Sequence, residues 1–560
     1  MQNRPLKRNL DYTSRLFDKF QLRQFLVLGC LFSLFSLIGG NLLSLGILNS
    51  SKIEINRAQP IGVRQLRPDI IDRKGRLLAT DIEAPSLYAN PSGLMDPAKV
   101  IEKLKIALPE IDEVDLLRQM TIEKRQFVFI KRGVHPRTAQ KIFDLGLPGV
   151  DITNEVRRVY PKGALAGHVL GHVDIDNVGR LGIERFIDKA RATELFKSNN
   201  YNAAPVNLSI DIAATHILRD ELRAAMKNFG AKNAAGLVLD VNSGEVIAIS
   251  SLPDFDPQIP SMLLDKNRID RIGGGIFELG SVFKTLTMAM VLDEGVASLD
   301  TKIDVSKPLK FSGHKIDDHH RSEDRLTMRD VFVRSSNIGT AKLASMVGVE
   351  KHRAFLTKMK LMSPIETELG KLRKPETAKR WSSIHSATAS FGHGIAMAPL
   401  QFAASIAALV NGGIYIKPTF LKRTEREAKL GSERVVSLKT SEAIRKLLYA
   451  VVDDQNGTGR AASVDHYRVG GKTGTANKVV DGVYSKDKVR TSFISVFPYD
   501  RPEYLVFVML DEPLASKGAG GLTVAGVNAA PTSARIIERL APLLKVKPFF
   551  PVLNRLTSVQ

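Results

Sequence analysis

The hydrophobic pattern of the chain opens with an uninterrupted apolar stretch. From Phe25 to Ser51 no charged residue occurs, and Phe25-Leu26-Val27-Leu28 through Leu42-Leu43 is long enough to cross a bilayer as a helix. Beyond it the pattern becomes that of a folded protein. Asp69-Ile70-Ile71-Asp72-Arg73-Lys74-Gly75-Arg76-Leu77-Leu78-Ala79 reads as strand, turn and strand, with Lys74-Gly75 in the turn. Short helical periodicities occupy Pro97 to Gly149. After the polar stretch Asn199-Asn200-Tyr201-Asn202, Asp211 is positioned to start a helix. Ala214, Ile217, Leu218, Leu222, Ala225 and Met226 share one face of that helix, and Gly230 ends it. A hairpin follows, with Gly236 to Asp240 as one strand, Asn242-Ser243-Gly244 as the turn and Glu245 to Ser250 as the return. Further on, an apolar run after Ser281 stops at Gly295, and Thr327, Met328, Val331 and Phe332 signal a short helix with another beginning near Ile338. Tyr467-Arg468-Val469 and Thr491 to Val496 read as strands.

Charge gives the apolar stretch a direction. Arg4, Lys7, Arg8, Arg15, Lys19 and Arg23 precede it, against only Asp11 and Asp18. By the positive-inside rule the N-terminus stays in the cytoplasm and the remainder is exported. A cleaved signal peptide would have a shorter basic leader and an apolar run of about 7–15 residues. Expected boundaries are a basic tail over 1–24, a membrane anchor over 25–47, an N-terminal module over 48–206, a larger domain over 207–545 and a tail over 546–560. A chain of 560 residues is too long for one ordinary core. The net charge of +21 suits an acidic partner or simply a solvated basic surface. No arginine-rich recognition helix or aromatic-interleaved motif points to nucleic acid. The single cysteine, Cys30, lies in the apolar stretch, which excludes an intramolecular disulfide and a thiol-liganded zinc finger. His168 and His172 are four apart, but flanking glycines argue against a metal-binding helix. In Asp317-Asp318-His319-His320 adjacent side chains rarely converge on one ion. Gly518-Ala519-Gly520-Gly521 reads as a flexible connection to the C-terminal helix rather than an anion cradle. No metal site and no cofactor is expected.

Three short motifs carry chemistry. A serine hydroxyl is a poor nucleophile until a base takes its proton. In Gly280-Ser281-Val282-Phe283-Lys284, a helix opened by Ser281 would place Lys284 on the same face one turn on. Burial would lower the lysine pKa and leave a neutral amine to act as base. Ser335-Ser336-Asn337 lies between two predicted helices, where it can aim a hydroxyl and a carboxamide into a cleft or simply cap the second helix. Gly471-Lys472-Thr473-Gly474-Thr475 is not a phosphate loop, because His466 stands where that motif needs glycine. On an edge strand it offers a cation, two hydroxyls and close backbone access at Gly474, features that suit an extended peptide ending in a carboxylate.

In this order the motifs match the Ser-x-x-Lys, Ser-x-Asn and Lys-Thr-Gly signature of penicillin-recognising enzymes. The chain resembles the class B penicillin-binding proteins, monofunctional D,D-transpeptidases of peptidoglycan synthesis, over nearly its whole length. Arg67, Asp72 to Gly75, Arg157 to Pro161 and Gly182-Ile183-Glu184 resemble motifs of the family's N-terminal module. Pro253 to Pro257, Ser390 to Gly394, Pro399-Leu400-Gln401 and Asp511-Glu512-Pro513 resemble stretches of its transpeptidase module. Lys472 to Lys478 and the short N-terminal module resemble the division-specific, FtsI-type subgroup. Leu279 and Ala398 depart from the usual proline and threonine.

The resemblance implies an α/β multidomain fold. It would comprise a transmembrane helix, a mixed, mainly-β non-catalytic module of the dimerisation type, and a serine β-lactamase/transpeptidase-like domain with an antiparallel sheet flanked by helices. It also implies Ser281 as acylated nucleophile and Lys284 as its base. Ser335 and Lys472 would pass a proton to the leaving D-alanine, and Asn337 would hold the peptide. Thr473, Gly474 and Thr475 would bind substrate, with Lys472 adding charge for the terminal carboxylate and the Ser281 and Thr475 N–H groups as oxyanion hole. The implied partners are peptidoglycan stem peptides on lipid-linked nascent strands, β-lactams as inhibitors, an FtsW-type membrane glycosyltransferase and other divisome proteins. The implied place is the bacterial inner membrane, single-pass, with the catalytic domain outside. An elongation-type transpeptidase, a serine β-lactamase or carboxypeptidase, a β-lactam sensor and a structural scaffold are the alternatives.

Overall fold

The structure, a computed structural model, describes residues 28–40, 66–122, 125–192, 204–311, 314–318, 324–480, 482–515 and 523–550. The chain divides into two units, residues 1–65 and 66–560. In the first, residues 28–40 form helix α1, with Phe32 and Phe35 exposed. Among the described residues no helix is long and apolar enough to cross a membrane. The anchor expected over 25–47 falls partly outside them.

The second unit begins with a small sheet. Strand β1 (Ile70–Ile71) turns at Gly75, φ +80°, into the long β2 (Leu77–Ala89), as the Lys74-Gly75 signal predicts. Helices α2 (Pro97–Ala107) and α3 (Glu113–Met120), strand β3 (Val128–Lys131), helix α4 (Pro136–Phe143) and strand β4 (Val150–Val159) follow. β2 pairs antiparallel with β4 from Thr80↔Val159 to Ala89↔Val150, and with β3 at its far end. The short helix α5 (Gly167–Leu170) closes at Gly171 before His172, so the two histidines do not share a helix face. His168 Nε2 instead meets Arg268 O at 2.9 Å. After α6 (Gly182–Ala192), β5 (Val206–Asn207) returns to pair parallel with β1.

The N-terminal motif residues meet in one buried ion cluster. Glu184 takes Arg67 Nε at 2.9 Å and Arg158 Nε at 2.7 Å, and Arg158 also pairs with Asp81 at 3.1 Å. A second cluster joins the turn to the larger domain. Arg76 Nη2 bridges Asp72 and Asp211 at 2.6 Å each, and Asp211 caps helix α7 (Ile212–Phe229). That helix ends at Gly230 in the left-handed conformation.

The larger domain is built on a five-stranded antiparallel sheet. Its strands are β6 (Asn233–Asp240), β7 (Val246–Leu252), β8 (Gly470–Val480), β9 (Val483–Phe497) and β10 (Tyr504–Asp511), in the order β8-β9-β10-β6-β7. Both faces are covered, so the strands read as continuous apolar runs rather than alternations. Leu505, Phe507 and Met509 belong to one core, Val506, Val508 and Leu510 to the other. Helix α7 and the C-terminal helix cover the second face. The Tyr467-Arg468-Val469 run is not a strand. The chain enters the sheet only at Gly470, because Tyr467 is bridged locally to Val464.

Candidate active site

β8 is an edge strand, so one side of Lys472-Thr473-Gly474-Thr475 faces a cleft rather than another strand. Across that edge lies the turn bearing Ser281. Gly280–Phe283 is a 3₁₀ turn leading into the α-helix α8 (Lys284–Asp293), so Ser281 precedes the α-helix instead of opening it. The two segments touch through glycine. Gly280 has φ +62°, and a Cβ there would lie 2.6 Å from Thr475 O; a Cβ on Gly474 would lie 2.4 Å from Leu279 O. Close backbone approach is the reason these motifs need glycine. It brings the backbone of Ser281 beside that of Thr475.

The third wall is the turn between α9 (Met328–Val333) and α10 (Asn337–Val347). Ser335 N donates to Phe332 O and Ser336 N to Val331 O, the two bonds of a Schellman cap. Ser335 occupies the left-handed position, φ +62°, where glycine is usual. A serine there costs about 1 kcal/mol in backbone conformation. In return its hydroxyl points inward, where it meets two lysines. Lys284 Nζ donates to Ser335 O at 2.5 Å and to Ser335 Oγ at 3.1 Å. Lys472 Nζ donates to the same Oγ at 3.0 Å.

Both lysines are fully buried. Burial pushes the Lys284 amine well below its ordinary pKa, the neighbouring Lys472 pushes it further, and Asp318 partly offsets them. Burial alone brings Lys472 down to about 7. Two ammonium groups sharing one hydroxyl repel at short range, which adds to burial in favouring the neutral amine at Lys284. Ser281 Oγ makes no hydrogen bond among the described residues. Lys284, the expected base, thus stands on Ser335, and Ser281, the expected nucleophile, lines the same cleft as Ser335.

The other motif residues divide between the cleft and its frame. Ser281, Ser335, Thr473 and Thr475 line a cleft of about 470 Å³. Asn337 does not. Its Nδ2 donates to Asp317 O at 3.1 Å, so its carboxamide braces the loop instead of opening onto the cleft. Ser336 caps α10, as the capping reading has it. Sequence reasoning passed over Asp318 except as a metal ligand. Here it accepts from Ser336 Oγ at 2.6 Å and from the Asn337 and Ile338 N–H groups, and it lines the cleft. Among the described residues no cluster could hold a metal ion; His319 and His320 lie outside them, as does Gly518-Ala519-Gly520-Gly521. Also missed were Thr458, whose Oγ1 meets Thr473 Oγ1 at 2.8 Å, Arg460, and the wall Val524 to Val527. The Gly457-Thr458-Gly459 turn was the available signal for the first two.

A serine held by a buried lysine, a second buried lysine on the shared hydroxyl and an open edge strand define an acyl-transfer site of the penicillin-recognising kind. Residues 234–533 match the penicillin binding protein transpeptidase domain, and residues 64–193 match the penicillin-binding protein dimerisation domain. The chain is 36% identical over 493 residues to the probable peptidoglycan D,D-transpeptidase FtsI of Caulobacter vibrioides, covering 87% of this chain and 82% of the relative. It is 29% identical over 493 residues to the peptidoglycan D,D-transpeptidase FtsI of Escherichia coli, covering 82% of each. Among solved structures, penicillin binding protein 3 of Mycobacterium tuberculosis in complex with aztreonam superposes with a TM-score of 0.65 at 25% identity, over 87% of this chain and 97% of that one. The chain belongs to the penicillin-binding protein transpeptidase family, with both of the modules that its motifs announce.

Proposed function

We propose that this chain is a peptidoglycan D,D-transpeptidase of septal wall synthesis, which cross-links stem peptides through an acyl-enzyme on Ser281 and is inhibited covalently by β-lactams. The observation that carries the chemistry is Ser335 Oγ held between Lys284 and Lys472, beside Ser281 and the edge strand. A stem peptide ending in D-alanyl-D-alanine lies along β8 as an added strand. Lys284, neutral through burial, takes the Ser281 proton, and Oγ attacks the penultimate carbonyl. The backbone N–H groups of Ser281 and Thr475 hold the oxyanion. As the peptide bond breaks, Ser335 hands a proton to the departing D-alanine nitrogen and is reprotonated from Lys472. Thr473 and Thr475 hold the terminal carboxylate, Gly474 keeps the strand close to the reacting turn, and Asn337 orients the peptide once its bond to Asp317 O opens. An amine from a neighbouring strand then attacks the ester, forms the cross-link and frees Ser281.

The apolar run over 25–47 anchors the chain in the inner membrane with its basic tail in the cytoplasm, so the catalytic domain meets lipid-linked nascent strands outside. An FtsW-type glycosyltransferase and other divisome proteins are the partners this placement fits. Fluorescent penicillin labels the wild-type chain and not Ser281→Ala; labelling of the variant would disprove the assignment. Depletion in cells gives filaments for a septal role, and rounded cells would assign the enzyme to elongation instead.

A further inference from the structure

The carboxylate that ends a donor peptide needs a counter-charge, and Lys472 is poorly placed to supply it. Its amine has three N–H donors. They go to Ser335 Oγ at 3.0 Å, Thr473 O at 3.2 Å and Thr473 Oγ1 at 3.3 Å. Its side chain is fully buried, and burial brings its pKa to about 7. Burial thus weakens its charge near neutral pH, and its donors are already committed.

Arg460 has the opposite character. It lines the same cleft as Ser281, Thr473 and Thr475, on the short turn Arg460–Ala462. Its guanidinium makes no ion pair or hydrogen bond among the described residues. The turn packs against Ala525–Val527, whose first N–H donates to Thr475 Oγ1 at 3.3 Å. Two residues before Arg460, Thr458 Oγ1 meets Thr473 Oγ1 at 2.8 Å. One cation with five free donors thus stands on the wall that braces both threonine hydroxyls. Arg334 also lines the cleft, but its charge acts on Asp454.

From this geometry we propose that Arg460 is the receptor for the terminal carboxylate of the donor peptide, and for the ring carboxylate of β-lactams that mimic it. The assignment rests on the transpeptidase reading and names a further residue of its substrate site. Arg460 discriminates anionic from neutral donors and takes no part in proton transfer.

The test compares acylation of the full-length chain by a cephalosporin and by its C4 methyl ester, whose β-lactam carbonyl is the same but which lacks the charge. The wild type reacts faster with the acid. In Arg460→Gln the second-order rate constant for the acid falls about ten- to a hundredfold, that for the ester is unchanged, and Arg460→Lys recovers part of the difference. An acid-to-ester ratio that stays at the wild-type value overturns the proposal, as does an equal loss with both compounds, which marks a structural role. If the wild type is acylated by neither compound, the transpeptidase reading itself fails, and that result cannot be mistaken for failure of Arg460 alone.

Discussion

Replacing Lys472 by methionine removes a buried amine while keeping most of its volume. Lowering that amine from 10.5 to about 7 corresponds to about 5 kcal/mol of folding free energy at 1.36 kcal/mol per pH unit, an upper figure. The folded pKa lies below the unfolded one, so the unfolded state binds the proton more tightly. The penalty is complete below about 7, shrinks as pH rises towards 10.5, and is absent above it. The substitution also deletes the hydrogen bond to Ser335 Oγ and those to Thr473, worth about 1–2 kcal/mol together. Lys284, freed of a neighbouring positive charge, holds its own proton more readily and recovers part of the lost cost. Lys472→Met is therefore stabilising by up to about 3–4 kcal/mol at pH 6 and slightly destabilising near pH 10, while acylation is abolished. Thermal melts of the full-length chain at pH 6 and pH 9.5, with a penicillin-acylation assay alongside, measure this. A melting-temperature change of the same size at both pH values, or a larger gain at pH 9.5, would refute the reasoning.

Ser335→Gly relieves a left-handed serine, so stability is expected to hold or rise by up to about 1 kcal/mol while acylation falls at least about a hundredfold; a variant with lost stability and intact acylation contradicts the role of that hydroxyl. Gly474→Ala places a Cβ 2.4 Å from Leu279 O, which pushes β8 off the Ser281 turn; acylation kinetics should show a large loss, and wild-type rates would mean that the close approach is not required. Arg76→Ala leaves Asp72 and Asp211 facing each other; with Arg76 half in solvent, the expected loss is about 1–3 kcal/mol at pH 7. Burial opposes ionisation of Asp72 and Asp211, but their hydrogen bonds, with Arg76 and Lys74 among the donors, hold both below the ordinary 3.8. Their contribution is present above that value and fades as pH falls through the folded pKa. The variant and wild-type melting curves should therefore converge below about pH 4, and a gap that widens there would be evidence against the network.

Much of this was legible in one dimension because the signals are local. A helix from Asp211 to Gly230 needs only a capping carboxylate, a periodic apolar face and a residue free to turn left-handed. The strand pairs need only β-rich runs bounded by turn residues. The three motifs point to their chemistry only together and in order, since Ser-x-x-Lys alone occurs by chance on many surfaces. Where local reading misled, a longer-range competitor won. Tyr467 to Val469 has strand composition, but a local bridge and the cation–π packing of Arg468 on Phe549 hold it outside the sheet. Asp318 looked like one of a row of metal ligands, and its real partners lie about twenty residues on, at the start of α10.

The sequence by itself determined the class of protein and the motif residues, because each depends on residue identity at short spacing. Tertiary structure alone decided which motif residues share an atom. Ser281, Ser335 and Lys472 lie far apart in the sequence with helices and strands between them, and only the packing of the Ser281 turn and the α9–α10 turn against an edge strand brings two buried amines onto one hydroxyl. It also lowered the proton affinity of those amines, since a lysine's pKa follows from its loss of water and not from its neighbours in the chain. Arg460 came to light in the same way, as a cation on a wall assembled from segments the sequence keeps apart.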